Sequence, residues 1–485
     1  MKIQRNVDMQ PLCDQLDEKY FYALDEDERP LLIMVKEGKV LDVVDHQSPT
    51  FKKIVRKHAL QLKISLTEHA FKYVQSYCND QAFLSNKIVK TFQRVGLVES
   101  GFEVDMGDEG HTRITVTPGN VDIKIAGSET YFTRPPSMLP MTMPNDKFGD
   151  IEDLLPFLTL EIVPSWLFIG WLTYTLASPK VPDTSFVHLV VIADQGSGKS
   201  FLCRELICGL IDPSKIGLQK YPTSSKELTL TTMVSQVSVF DNMTYLKTAQ
   251  ANELCILSTS GTIISRTLYA NSEITTHRLH APVVLNGLTN FIPTSDLAQR
   301  CLVLEIPPLD PNNRRSEKDL MAELNEAKPR IMKGVFDLCA EILEVLPTVT
   351  PKYKERMIDF SYWLAALEKV KDFDDGLLQV AYHNLLVEYQ LDSVMGDPLA
   401  SAVYQLVTTN KSGSWRGTAR ELLQELEVNS HKYEVNTRSR NWPQNAISLS
   451  KRLRIAKAGL LVQGIEVDFT RGKERIIEIT NLEAY

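Results

Sequence analysis

The sequence predicts an α/β protein. A parallel-sheet core built on a phosphate-binding loop should follow an N-terminal α+β domain and precede an all-helical lid and a C-terminal winged-helix domain. Three observations carry this. Residues 187–200 read VHLVVIADQGSGKS, an apolar β-branched run entering a glycine-rich turn that ends in Lys-Ser. Two more apolar runs, 236–241 and 282–287, end in polar residues, Asp241 and Asn286 with Gly287. Residues 316–346 and 359–391 then hold long 3.6-residue periodicity.

The elements follow in order. Residues 31–44 alternate as a hairpin around Glu37-Gly38, 87–98 look helical, and 102–125 give short strands broken at Asp108-Glu109-Gly110 and Pro118-Gly119. The proline-dense stretch 134–144 reads as a stiff connector and a domain edge. The expected domains are 1–145, the core 146–312, the lid 313–408 and a last domain 409–485. Residues 166–176 are expected to form a buried helix beside the core. The last domain has the order helix, helix, hairpin, with helices at 418–426 and 445–460 and strands at 466–470 and 475–479.

The loop carries the chemistry. In Ala193, Asp194, Gln195, Gly196, Ser197, Gly198, Lys199 and Ser200, with Phe201 opening a helix, the glycines let successive N–H groups converge on an anion at a helix N-terminus. Lys199 would pair with the β- and γ-phosphates of ATP, and the Ser200 hydroxyl would hold Mg²⁺. A plain glycine turn before a helix is the alternative. Asp241, about forty residues on, would hold the same metal from a neighbouring strand end, unless it merely ends a core strand. Asn242 stands where a catalytic glutamate is usual. An amide orients water but accepts no proton, so turnover should be slow or borrow a carboxylate, with Glu253 one candidate. Asn286 would sit between the acidic strand ends and touch the attacking water. Arg300 reads either as an arginine finger reaching a neighbouring subunit or as an ion pair, and Arg330 as a weaker second sensor.

Composition sets bounds. The formal charge of −8 gives no overall attraction to nucleic acid, so any DNA contact needs a local basic surface. Residues 411–475 supply one, with 13 Lys/Arg against 7 Asp/Glu. Arg438, Arg440, Lys451, Arg452, Arg454 and Lys457 cluster around the candidate recognition helix, and Arg471 and Lys473 mark the wing tip. A protein-interaction module with a solvated charged face is the alternative. The seven cysteines show no metal spacing, the N-terminus is polar, and no apolar stretch spans a bilayer, which together suggest a reduced cytoplasmic chain without membrane contact.

The motif order also carries a resemblance. Residues 254–269, with Gly-x-x-Ile-x-Arg-x-Leu-Tyr at 261–269, then the Asn286 strand and residues 296–300, resemble the ATPase module of superfamily 3 helicases. They resemble more closely the primase-helicases of poxviruses, phages and mobile elements. Closer still is a family of bacterial and prophage ATP-binding proteins, on the Arg-Pro-Pro-x-Met-Leu-Pro stretch at 134–140, Asp241-Asn242, Trp415 to Thr418, and Trp442-Pro443. The resemblance runs from about residue 95 to the end. It implies an AAA+ ring, a hexamer with ATP between subunits and DNA threaded through the centre, with Arg266, His277, Arg278 and His280 near a hairpin that faces the pore or a solvated surface. The family grips DNA with a lysine or histidine at the hairpin tip, whereas the turn here is Ala270-Asn271-Ser272-Glu273. No paired-aspartate primase signature occurs in residues 1–95. The implied function is an oligomeric Mg-ATP-driven DNA helicase or remodelling ATPase in mobile-element replication. An ATP-dependent switch, assembly factor or defence protein is the main alternative, and a small-molecule kinase a poor one.

Overall fold

The computed structural model describes residues 8–125, 130–266, 274–309, 315–410, 412–433, 435–438, 442–470 and 475–482. The chain starts with α1 (Gln10–Lys19), β1 (Tyr20–Leu24), β2 (Pro30–Lys36), β3 (Lys39–Asp45), α2 (Pro49–Gln61) and α3 (Glu68–Leu84). The three strands form an antiparallel sheet in the order β1-β2-β3. The expected hairpin turns where Glu37 and Gly38 both take positive φ (53° and 79°), the backbone that matches strand twist in a two-residue turn. Ser48 and Thr67 cap α2 and α3 through their hydroxyls. Leu12, Leu16, Phe51, Val55, Phe71 and Val74 close a core of their own.

Residues 87–98 are extended, not helical. They form β4 (Thr91–Phe92) and β5 (Val95–Val98), followed by β6 (Gly101–Asp105), β7 (Thr112–Thr117), β8 (Asn120–Ile125) and β9 (Tyr131–Phe132). The deciding residue is Arg94, wholly buried, which donates to the carbonyls of Asp105, Leu139 and Pro213 and pairs with Asp212 at 3.3 Å. From the bend between β4 and β5 that side chain reaches carbonyls from three segments, and tertiary demand overrides local preference.

Strands β5 to β8 make an antiparallel sheet whose Phe102, Val104, Ile114 and Val116 share one core with Trp166, Phe168 and Phe336. The expected break near 145 therefore divides no hydrophobic core. Nor is the proline-rich stretch a free connector. Leu139 N–H donates to Pro213 O and Met141 N–H to Met106 O, while Arg134 grips the buried Asp105 carboxylate with Nε and Nη2 at 2.8 and 2.6 Å.

A 3-10 turn (Ile151–Phe157) leads to α4 (Ile162–Leu176), buried on every side from Ser165 to Leu176 as expected. Trp171 Nε1 donates to Val187 O, tying α4 to β10 (His188–Ala193). Next come α5 (Lys199–Phe201), a π-helical stretch (Leu202–Cys208), α6 (Gly209–Ile211), α7 (Ser225–Met233), β11 (Ser238–Met243), α8 (Thr248–Thr259), the hairpin β12 (Gly261–Arg266) and β13 (Ile274–Leu279), β14 (Val283–Gly287), α9 (Ser295–Ala298) and β15 (Cys301–Ile306). The core sheet is parallel, in the order β11-β14-β10-β15. Its strands are buried on both faces, as a parallel sheet covered by helices requires.

The expected lid is α10 (Glu317–Val345), α11 (Ile358–Val370) and α12 (Leu377–Met395). Gly334 sets how closely α10 meets the 3-10 turn, since a Cβ there would lie 2.2 Å from Ile151 N. Helix α13 (Pro398–Thr408) is capped by Asp397 and packs into the C-terminal core with β16 (Ser414–Thr418), α14 (Ala419–Val428), α15 (Ala446–Val462), β17 (Ile465–Phe469) and β18 (Ile476–Asn481). That unit thus starts near 397, not 409. Its order is helix, strand, helix, helix, strand, strand, with an antiparallel sheet β16-β18-β17. The strand β16 is not among the expected elements of this domain; its Trp415 and Gly417 pair with Ile479 and Ile477 of a strand distant in sequence.

Candidate functional site

Three strand ends meet along one edge of the core sheet. Strand β10 ends at Ala193 and opens into the loop, β14 beside it ends at Asn286 and Gly287, and β11 beyond ends at Asp241 and Asn242. Asn286 is level with Val191, so the predicted residues of the three motifs stand together. With parallel strands about 4.8 Å apart, Asp241 lies roughly 10 Å across the sheet from β10.

The loop is bent by Gly196 and Gly198, both at positive φ (76° and 87°). A Cβ on Gly198 would meet nothing within 4 Å, so the space beside this glycine is open. Ser197 closes the turn by donating to Asp194 O, while the buried Lys199 ammonium donates to the carbonyls of Ala193 and Asp194 at 3.2 and 3.3 Å. Asp194, Gln195, Gly196 and Ser200 are exposed, and Phe201 is half-buried. Glycine backbone, a buried lysine and an exposed hydroxyl at the helix start are the groups that would hold a triphosphate and its divalent cation.

Beside the loop, the backbone N–H of Asn242 is shared between its neighbour's Asp241 Oδ1 (2.9 Å) and Asn286 Oδ1 (3.2 Å). Asn242 takes φ +58°, the left-handed region that asparagine tolerates, at a register shift in β11. Asn286 is wholly buried, and its Nδ2 faces Cys203 Sγ at 3.5 Å. Burial pushes the Cys203 thiol up to about 12, and it lies within electrostatic reach of both Asp241 and Lys199. Cys203 was not anticipated. It lies in the π-helical stretch, and its only sequence signal was a position three residues past Ser200.

Glu253, on α8, accepts a hydrogen bond from Ser225 Oγ of α7. Arg300 precedes β15, at the sheet edge opposite the loop, because its carbonyl accepts from His188 N–H at the start of β10. It is buried; Nη1 donates to Ser258 Oγ at 3.1 Å and Nη2 lies 3.8 Å from Asp296. That position is too distant for the loop of its own chain. Arg330 pairs with Asp153 at 2.7 Å.

His280, expected on a strand facing either the pore or a solvated surface, is buried, with Nε2 2.8 Å from Thr184 O and its ring against Phe186. Arg266, His277 and Arg278 fall within the β12–β13 pairing, and their side chains lie outside the described residues, as do the tip 270–273, Arg440, Arg471 and Lys473. On α15, Lys451 and Arg454 are exposed. Arg452 pairs with Asp397, Lys457 with Asp468, and Arg454 lies over the Phe469 ring. Arg438 is exposed. The cationic surface is therefore partly spent on the unit's own fold.

Two family models match the chain. The first, described as the actinomycete integrative conjugative element replication protein, matches residues 154–387, and the second, the C-terminal domain of that RepA, matches 399–484. The chain is similar to a mobile-element replication protein. The second RepA match begins two residues after Asp397, where the structure starts its C-terminal unit, and the first ends ten residues before it. The first RepA match contains the loop, Asp241, Asn242 and Asn286, and begins after the N-terminal sheets. Three solved structures are more distant, each with 97% of this chain and 98% of the other covered. They are an A form apo structure of the NrS-1 C terminal region (13% identity, TM-score 0.40), an A form apo structure of its residues 305–718 (14%, 0.37) and an apo structure of the same residues (13%, 0.37). No curated protein matches the chain.

Proposed function

We propose that this chain is an AAA+ ATPase of the superfamily 3 type that couples Mg-ATP hydrolysis to DNA remodelling or unwinding in the replication of a mobile element. The observation that carries the reading is the alignment of loop, Asn286 and Asp241-Asn242 on one sheet edge, linked by the Asn242-to-Asn286 hydrogen bond. Lys199 and the loop N–H groups would hold the phosphates, and Ser200 and Asp241 the metal. Bound Mg²⁺ would neutralise charge on the phosphates. Asn286 holds the Asn242 backbone in place and so sets the wall that an attacking water would face.

Arg300 lies at the sheet edge opposite its own loop, and in a trans role it would leave its partners Ser258 and Asp296 to reach a neighbouring subunit's nucleotide. The helix, strand, helix, helix, strand, strand order of residues 398–481 supports a winged helix, with Lys451 and Arg454 facing outward on the helix that would enter a groove. The likeness to a conjugative-element replication protein supports DNA as the partner.

A switch that binds ATP and turns over slowly is the second reading. Asn242 favours it, because no carboxylate follows Asp241 and Glu253 is held by Ser225. The test is the ATPase rate with and without single-stranded and forked DNA, with molecular mass followed in the same buffer. Strong stimulation by DNA with a ring-sized species supports the motor. Slow turnover indifferent to DNA selects the switch, and failure to bind ATP overturns both.

A further inference from the structure

Residues 46–67 contain five cations (Lys52, Lys53, Arg56, Lys57, Lys63) and no Asp or Glu, in a chain whose formal charge is −8. Helix α2 sorts them. One face buries Phe51, Val55, His58 and Ala59 in the N-terminal core. Lys52 turns aside to Glu68 and lies 5.1 Å from the Phe71 ring centre. The remaining face is exposed, and Lys53, Arg56, Lys57, Leu60 and Gln61 line a shallow groove on it.

A merely solvated helix face interleaves acids with bases, because like charges three and four residues apart destabilise a helix by about 0.2–0.5 kcal/mol a pair. Lys53 with Arg56 and Lys53 with Lys57 are such pairs, and no carboxylate of the described residues forms an ion pair with any of the three. Leu60, 75% exposed, adds one apolar spot of the size a sugar or base covers.

We infer that the α2 face formed by Lys53, Arg56, Lys57 and Leu60 is a second nucleic-acid contact, binding the phosphate backbone without reading sequence. A membrane surface fits less well, since the apolar side of α2 is already buried in the core and leaves little to insert. The inference rests on DNA being a partner, as proposed above, but not on nucleotide hydrolysis. Both family matches begin downstream of this helix.

The test uses the full chain and a fluorescein-labelled single-stranded oligonucleotide, with anisotropy followed across a KCl series. The triple variant Lys53→Gln/Arg56→Gln/Lys57→Gln is compared with the parent and with Lys451→Gln/Arg438→Gln. Loss of three phosphate contacts lowers the slope of log K against log salt by about 2 and weakens binding about tenfold or more near physiological salt. All three residues are exposed, so circular dichroism and melting should match the parent. An unchanged slope and affinity in the triple variant, with binding still sensitive to the C-terminal pair, overturns this inference alone. A parent chain that binds no oligonucleotide overturns it together with the DNA part of the proposed function. Loss of binding to phosphatidylserine vesicles with oligonucleotide binding intact assigns the face to a membrane and overturns it as well.

Discussion

Asn242 and Asn286, from neighbouring strand ends, are joined by a backbone N–H to side-chain oxygen bond of 3.2 Å, and the same Asn286 side chain faces Cys203 on the helix that follows the loop. Loop helix, middle strand and acidic strand are thereby tied through one buried amide. Replacing Asn286 with Ala should cost about 1–3 kcal/mol of stability, from unpaired buried groups. It should lower hydrolysis far more than ATP affinity, measured by denaturant melts, equilibrium binding and steady-state turnover. A parallel loss of binding and turnover would contradict this role.

Lys199→Ala should abolish ATP binding with little effect on folding, because the ammonium bonds only two carbonyls of its own loop. Isothermal titration with ATP and Mg²⁺ checks it, and retained tight binding would count against the loop as the nucleotide site.

Asn242→Glu supplies the missing proton acceptor at a position held at φ +58°. A residue less tolerant than asparagine costs about 1–2 kcal/mol in that conformation, so the melting temperature should fall slightly. If turnover is limited by the absence of a base, the rate should rise by about tenfold or more. Slower turnover at unchanged affinity would mean the corner needs the amide.

Arg300→Ala removes a buried guanidinium from Ser258, Thr259 and Asp296. A loss of about 1–3 kcal/mol in stability is expected from these unpaired groups, visible in a melt of the monomer. The trans role predicts a further effect, loss of hydrolysis only where subunits assemble. A monomer that hydrolyses ATP normally without Arg300 would disprove it.

His188 gives a pH signature. Its Nε2 bonds Leu254 O and its Nδ1 accepts from Val283 N–H, so the ring is neutral in the fold. Burial, with the Arg300 cation adding to it, holds its pKa down at about 4. The unfolded chain takes up this proton near 6.5 and the folded chain only near 4. The contribution is therefore intact above pH 6.5, erodes as pH falls through that window and levels off below it, a loss of order 3 kcal/mol. A nuclear magnetic resonance titration should place the His188 midpoint well below 5, and a midpoint near 6.5 would refute the assignment.

By itself, the sequence determined the elements whose signals are local. The glycines and Lys-Ser of 196–200 declare the loop, β-branched runs declare the buried parallel strands, and long periodicity declares the lid. Glu37-Gly38 declares the first hairpin. Tertiary structure decided what depends on partners far along the chain. Residues around Arg94 are extended because Asp105, Leu139, Pro213 and Asp212 converge on its guanidinium, and no local pattern encodes that meeting. Helix α13 belongs to the C-terminal unit because its apolar face meets Leu422, Leu449 and Ile479, although its sequence reads like one more lid helix. Nothing in the sequence signalled that Glu253 accepts from Ser225, or that Arg452 and Lys457 pair with Asp397 and Asp468. A residue type and its spacing state what a side chain is able to do. Only its neighbours in space decide whether it is free to do it, because burial and pairing set the energy of every charged group.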